Sequence, residues 1–318
     1  MRAPFVVAAF VLALAAGARP AASCDSSSCA LITRGMNGLE GKGTIRLDLS
    51  WRYTDDGVKL EGGEAVPVVY RPKVSFENGN IWPAFHEEVG GHESFLQVDA
   101  AYGLTKSTTL LASIPLLANR SYAVAHVGVQ DEYGTGGVGD GLLGVRQGLG
   151  KSGIVAGFAL KLPTGRDDID GDFDGGILDP SLQPGTGSFD FVPSLLYGNA
   201  FGRTSWSATA SYQITTHNDL GYRFGNLTVA ALSASRPLVG RLSASLQLKL
   251  VHEDRSDFRG QTVPSTGGRF VYAVPGLRVR LPGQGSAYGV VQLLLDRYVN
   301  DMQLAPRAAF LLGFSKSL

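Results

Sequence analysis

The chain has 318 residues, 28 basic and 28 acidic, so its formal net charge is zero, and only 18% of its residues are charged. Without a basic excess it lacks the electrostatic footprint of a nucleic-acid binder, and 2 cysteines are too few for a disulfide scaffold. Its 42 glycines and sparse charge suit a protein with half of its strand positions facing lipid.

Arg2, an apolar run from Phe5 to Ala16, and then Ala21, Ala22 and Ser23 have the layout of a secretory signal peptide. Residues 1–23 are read as a cleaved signal, 24–42 as a periplasmic leader and 43–318 as the membrane domain. The run is too short for a helix crossing about 30 Å of hydrocarbon, and no later stretch offers about 20 uncharged residues. Cys24 and Cys29 open the mature chain. Two readings stand for them: pairing in an oxidising compartment, or lipidation of Cys24, although Ala21 occupies the position where such a site usually has Leu.

Over 44–53, Ile45, Leu47, Leu49, Trp51 and Tyr53 alternate with Thr44, Arg46, Asp48, Ser50 and Arg52. Successive strand side chains point to opposite faces, so this is a strand with one apolar and one polar face. The same period returns over 206–214 and 242–250. It returns again in the last strand, 307–314, where Ala308, Phe310, Leu312 and Phe314 form the apolar face. Runs near ten residues match a tilted strand crossing a bilayer.

Short turns at 104–107, 150–153, 202–204, 239–241 and 282–286 alternate with longer stretches at 55–91, 119–138, 164–187, 216–222, 254–268 and 298–302. That alternation is the layout of periplasmic turns and outer loops. About twelve strands result, with both termini periplasmic. An open edge in hydrocarbon would leave unpaired N–H and C=O groups costing several kcal/mol each, so the sheet must close, the first strand pairing with the last. The fold class is therefore all-β: a closed antiparallel transmembrane β-barrel following a signal peptide. Trp51, Tyr53, Tyr102, Phe189, Phe191, Tyr197, Trp206, Tyr212 and Tyr288 are read as interface aromatics.

Two loops carry metal-like spacings. Asp170, Asp172, Asp174, Gly175 and Asp179 follow the first half of a calcium loop, but Ser181 stands where the bidentate Glu belongs. The alternative is a solvated acidic outer loop bridged by divalent ions to lipopolysaccharide. His86, Glu87, Glu88, His92 and Glu93 are dense, yet the histidines lie six apart around Gly90 and Gly91, which fails the zinc-protease spacing and reads as loop. His126, His217 and His252 have no neighbouring serine nucleophile in sequence, so no catalytic residues and no resident cofactor are expected.

Inward positions are expected to line a lumen with Arg46, Arg52, Arg146, Lys161, Lys249, Arg278, Arg280 and Arg307 against Asp48, Asp99, Asp140 and Asp190. A basic excess would favour anions in an open pore. The same charges would otherwise pair across a nearly closed interior.

Residues 137–146, then Leu160-Lys161-Leu162-Pro163-Thr164-Gly165, then 179–188 with Pro184-Gly185-Thr186-Gly187-Ser188, resemble the outer-membrane family named for the meta-pathway of phenol degradation. Tyr298-Val299-Asn300 and Gln303-Leu304 are similar to that family's closing hairpin. The likeness spans roughly 43–318 and is most specific from Leu-Pro-Thr-Gly to Pro-Gly-Thr-Gly-Ser. It implies a passive outer-membrane channel for small organic solutes, often hydrophobic or aromatic. The expected partners are outer-membrane lipid, lipopolysaccharide, the barrel-assembly machinery and the solute. The weighed alternatives are a non-conducting adhesin, receptor or envelope organiser that works through its loops, and an outer-membrane lipid hydrolase.

Overall fold

The computed structural model describes residues 38–126, 129–170 and 176–318. Twelve antiparallel strands close into a barrel: β1 (Ile45–Glu61), β2 (Asn80–Gly103), β3 (Thr108–His126), β4 (Gly141–Gly148), β5 (Ile154–Leu162), β6 (Asp190–Phe201), β7 (Thr204–Gln213), β8 (Leu227–Pro237), β9 (Leu242–Glu253), β10 (Gly268–Leu281), β11 (Gly285–Val299) and β12 (Met302–Ser317). Strand β1 closes the ring by pairing with β2 on one edge and β12 on the other, with Trp51 opposite both Leu96 and Leu312. Every barrel strand thereby has two partners, which removes the open edges that hydrocarbon penalises.

The period-two pattern sorts as the strand geometry demands. Leu47, Leu49, Leu246, Leu248, Leu277 and Leu312 lie on the outer surface, each more than 40% exposed. Asp48, Ser50, Ser207, Gln247 and Lys249 point inward and are buried. A water-soluble barrel places its apolar face inside, so this inverted arrangement calls for lipid around the outer wall. On that wall Tyr53 stacks on Phe310, and Trp51 meets Phe310 edge-on with centroids 5.4 Å apart.

The barrel has a turn end and a loop end. Gly202, Gly240 and Gly283 adopt positive φ in the tight turns, a conformation open to glycine at no steric cost. Long connections gather at the other end, but much of the 55–91 stretch expected as loop is strand: β1 runs on to Glu61 and β2 begins at Asn80. Gly90 and Gly91 do not break β2. A register shift leaves Val89 as the extra residue while Gly90 stays paired with Ala123, and Gly91 is where the Tyr122 ring lies against β2, which a Cβ would prevent. His92 consequently sits in a strand, stacked on Tyr53 with centroids 6.0 Å apart.

The loop end is covered. A ribbon at Val69–Ser75 pairs with β2 from Val69↔Glu88 to Ser75↔Asn80. On one side Arg71 reaches Glu88 at 3.1 Å, Asp179 at 3.7 Å and the Ser181 hydroxyl. Beyond its other end Phe76 packs edge-on to Phe258 at 5.5 Å, beside a cluster of Val74, Tyr222, Phe258 and Val263. The ribbon thus ties the 164–187 loop to the loops at 216–222 and 254–268.

Arg255 and the Ser265 N–H both hydrogen-bond Asp301 in the β11–β12 connection, holding its carboxyl below the usual range. A folded-state pKa lying under the unfolded one gives stabilisation at neutral pH that is lost as pH falls through the folded value. Acidification is expected to loosen the 254–268 loop from Asp301, read as a lower hydrogen-exchange protection factor for the Ser265 amide.

Candidate functional site: the barrel interior

The inner wall has two contrasting sectors. On β7 and β8 it is a ladder of hydroxyls: Ser207, Thr209, Ser211, Ser233 and Ser235 are all inward and buried. On β10, β11 and β12 it is apolar, with Tyr272, Val274, Tyr288, Val290 and Leu311 in one cluster. Strand β9 lies between them, where Gln247 donates to Ser233 Oγ at 3.0 Å. Tyr288, expected at the interface, points inward and donates its hydroxyl to Asp48 at 2.8 Å. Gly313 opposite makes this possible, because a side chain there would occupy the tyrosine ring's place.

The candidate lining charges fall into four groups. Arg46, Asp48, Arg52, Asp99, Arg146, Lys249 and Arg278 occupy inward positions along the wall. Lys249 Nζ donates to Gln292 Oε1 at 3.2 Å and lies 5.3 Å from the Tyr272 ring centroid. Arg278 donates to Ser286 Oγ at 3.1 Å and covers Tyr288 at 5.0 Å, and Arg52 covers Phe95 at 4.5 Å. Arg280 lies at the exposed turn-end rim, opposite Ser286. Arg307 is not in the lumen. The pairing of Asp55 with Ala308 and of Asp56 with Pro306 leaves Arg307 as an extra residue, and this bulge turns it outward to Asp55 at 3.2 Å.

Lys161, Asp140 and Asp190 form a separate buried unit that anchors the 164–187 loop. Lys161 Nζ lies 2.6 Å from Asp190 Oδ2 and 3.3 Å from Asp140 Oδ2, and donates to the Thr186 hydroxyl. Asp140 accepts from Gly165 N at 3.1 Å and from Thr186 N at 2.9 Å, and Asp190 accepts from Gln213 at 2.8 Å. Thr164 Oγ1 accepts from Gly141 N and donates to Gly139 O. Gly165 and Gly185 pass backbone against backbone, where a Cβ on residue 165 would stand 2.7 Å from Gly185 Cα. The Leu-Pro-Thr-Gly and Pro-Gly-Thr-Gly-Ser segments are therefore the two halves of one clasp. Beyond it the loop docks inward, with Arg120 donating to Gln183 O and Thr135 to Leu182 O.

At the turn end, residues 38–42, assigned to the leader from sequence, enter the barrel. Glu40 N donates to the buried Thr109 hydroxyl at 2.8 Å, and the Glu40 carboxylate pairs with Arg46. Gly38 lies against Val155 and Leu196, and Leu39 against Gly148.

Asp170 bridges to Ile177, while Asp172 and Asp174 lie outside the described residues, as do Cys24, Cys29 and the signal peptide. Asp179 caps the short 3-10 turn Pro180–Leu182 by accepting from Ser181 N at 2.9 Å, and it faces Arg71. Among the described residues no group of three or more His, Cys, Asp or Glu side chains is placed to hold a metal ion. His217 contacts Asp257 at 3.1 Å, and His252 contacts Asp254 at 3.4 Å.

An apolar outer belt, a polar inner wall and twelve closed strands define a bacterial outer-membrane β-barrel. One solved structure has the same fold. The structure is similar to an outer membrane channel from Pseudomonas putida F1, at 13% identity and a TM-score of 0.59, covering 88% of this chain and 97% of that one. It also matches the Ralstonia pickettii toluene transporter TbuX (11% identity, TM-score 0.43, 88% of this chain and 90% of that one). A third match is the β-domain of the Bordetella autotransporter BrkA (12% identity, TM-score 0.45, 88% and 100%). No protein-family model matches the sequence, and no curated protein matches it.

Proposed function

We propose that the barrel is a passive, narrow channel for small organic solutes, running between the loop end and the turn end, with both termini in the periplasm. The observation that carries this reading is the make-up of the inner wall. A barrel built only as a membrane anchor can fill its interior with large side chains, whereas here Gly144, Ser194, Ser207, Thr209 and Ser233 keep the wall small from β4 to β8. The apolar sector on β10–β12 gives a solute's hydrocarbon part a surface, and the hydroxyl sector serves its polar part. This supports the relation to the phenol meta-pathway family that the two clasp segments suggest. Lipopolysaccharide and lipid around the belt, the assembly machinery for insertion and divalent ions at the acidic part of the 164–187 loop belong to the same reading.

The loop-end cover and the close packing of inward side chains imply low conductance. They also favour the second reading, a non-conducting barrel whose joined loops are its working surface. Planar-bilayer recording separates the two: small, ohmic single-channel steps are expected, and a silent membrane with folded protein inserted supports the loop reading. Arg278→Glu is expected to shift selectivity towards cations, because an inward charge selects its opposite. Arg307→Glu is expected to leave selectivity unchanged, since the bulge turns that residue to the outer surface. A selectivity shift with Arg307→Glu and none with Arg278→Glu would overturn the assignment of faces.

A further inference from the structure

The two ends of the barrel treat their cations differently. At the loop end Arg71, Arg255, Arg269 and Arg307 each face a carboxylate, on Glu88, Asp301, Asp296 and Asp55. At the turn end Lys106, Lys151, Arg203 and Arg241 each lie in one tight turn, and Lys316 lies beside the fifth, in register with Gly285. All five are exposed, and none has a carboxylate partner among the described residues. The turns themselves, 104–107, 150–153, 202–204, 239–241 and 282–286, contain no Asp or Glu. A ring of like charges repels itself, so it costs stability unless an anion lies against it.

Each turn also carries a large apolar side chain in the outward phase of the strand that enters it. Leu104 follows Tyr102 on β2, Leu149 follows Val145 on β4, Phe201 follows Leu195 on β6, Leu238 follows Leu232 on β8 and Leu281 follows Val279 on β10, always by an even number of residues. Their exposure runs from 37% at Leu281 to 81% at Phe201. In the first four turns the cation comes two or three residues after the apolar side chain. The apolar group thus ends the lipid-facing belt, and the cation stands just beyond it. An anionic phospholipid satisfies both, its acyl chain against the apolar group and its phosphate against the cation. An acidic protein would leave the apolar groups in water, and a lipid without net charge would leave the ring of cations uncompensated.

We infer that the turn end is a docking ring for anionic phospholipid headgroups, with Lys106, Lys151, Arg203, Arg241 and Lys316 holding the phosphates. The inference goes beyond the channel reading and does not depend on whether the lumen conducts. Only the leaflet rests on that reading: with the turn end in the periplasm, the lipid is that of the periplasm-facing leaflet. The ring would fix the depth at which the barrel sits, because a shift in either direction moves a cation into hydrocarbon or an apolar side chain into water.

The test is electron spin resonance of the folded full chain in phosphatidylcholine vesicles, with a trace of chain-labelled phosphatidylglycerol or chain-labelled phosphatidylcholine. Phosphatidylglycerol is expected to be enriched several-fold over phosphatidylcholine in the motionally restricted shell at low salt, and the preference to shrink as sodium chloride is raised. The fourfold variant Lys106→Gln/Lys151→Gln/Arg203→Gln/Arg241→Gln is expected to lose at least half of the preference. Its two halves, made separately, are each expected to lose part, which keeps the test decisive if the fourfold variant does not fold. Arg269→Gln/Arg307→Gln is expected to keep the preference, because those cations already have carboxylates. No preference in the parent chain, or an equal loss in the turn-end and loop-end variants, overturns the inference. Poly-glutamate binding to the detergent-solubilised barrel, with no phosphatidylglycerol preference, also overturns it and assigns the ring to an acidic macromolecule. Conductance is recorded on the same preparations: steps without lipid preference sink the docking ring alone, and lipid preference without steps sinks the channel reading alone.

Discussion

Leu248→Arg is expected to destabilise the barrel by about 2–4 kcal/mol, and Leu281→Arg by about 1 kcal/mol or less, in urea unfolding from liposomes. Both leucines point outward, 49% and 37% exposed. Leu248 sits midway along β9, with Leu232 and Ala273 as its register neighbours, whereas Leu281 is the last residue of β10 at the turn end. An arginine at mid-depth gives up its hydration, while one at the rim extends its guanidinium to the headgroups. The difference between the two sites therefore measures membrane depth rather than a general dislike of charge. Equal costs at both positions would mean that the belt is not in lipid.

The second large effect is expected at Lys161. Its ammonium lies between two carboxylates, with Asp190 only 1% exposed, so Lys161→Met leaves two buried anions without their cation. Breaking a buried pair from one side costs about 3–5 kcal/mol, because the remaining charge keeps its desolvation penalty. Adding Asp190→Asn is expected to restore part of that loss by neutralising one anion. The loss should be local as well as global. The Gly165 and Thr186 N–H groups both donate to Asp140, so limited proteolysis within 164–187 should accelerate in Lys161→Met before the barrel unfolds. An unchanged cleavage rate would show that the clasp does not depend on the lysine.

How much of this was legible in the residues depends on the range of the information. In β1 the alternation of Leu47, Leu49 and Trp51 with Asp48, Ser50 and Arg52 announced strand, face and membrane together, because side-chain direction is a local property of extended backbone. Arg307 and Tyr288 were misread for the same reason. Counting by two fails across a bulge, and a tyrosine's alternation says which face it takes only if the face itself is known. His92 and the two glycines before it looked like loop because breaker residues are judged alone, yet in β2 a partner strand and the Tyr122 ring make that backbone favourable. The two glycine-rich clasp segments could be recognised as specific without showing that Gly165 and Gly185 touch.

By itself the sequence determined a lipid-facing belt, an inward polar face, the even strand count and the separation of short turns from long connections. These follow from period-two geometry and from the cost of an unpaired edge in hydrocarbon, which act within a strand or on its nearest neighbour. Only the tertiary structure decided which inward groups meet: Tyr288 with Asp48, 240 residues apart, Asp140 with Thr186, 46 apart, and Arg71 with Ser181, 110 apart. Such contacts are set by register, bulges and barrel closure, which depend on all the strands at once.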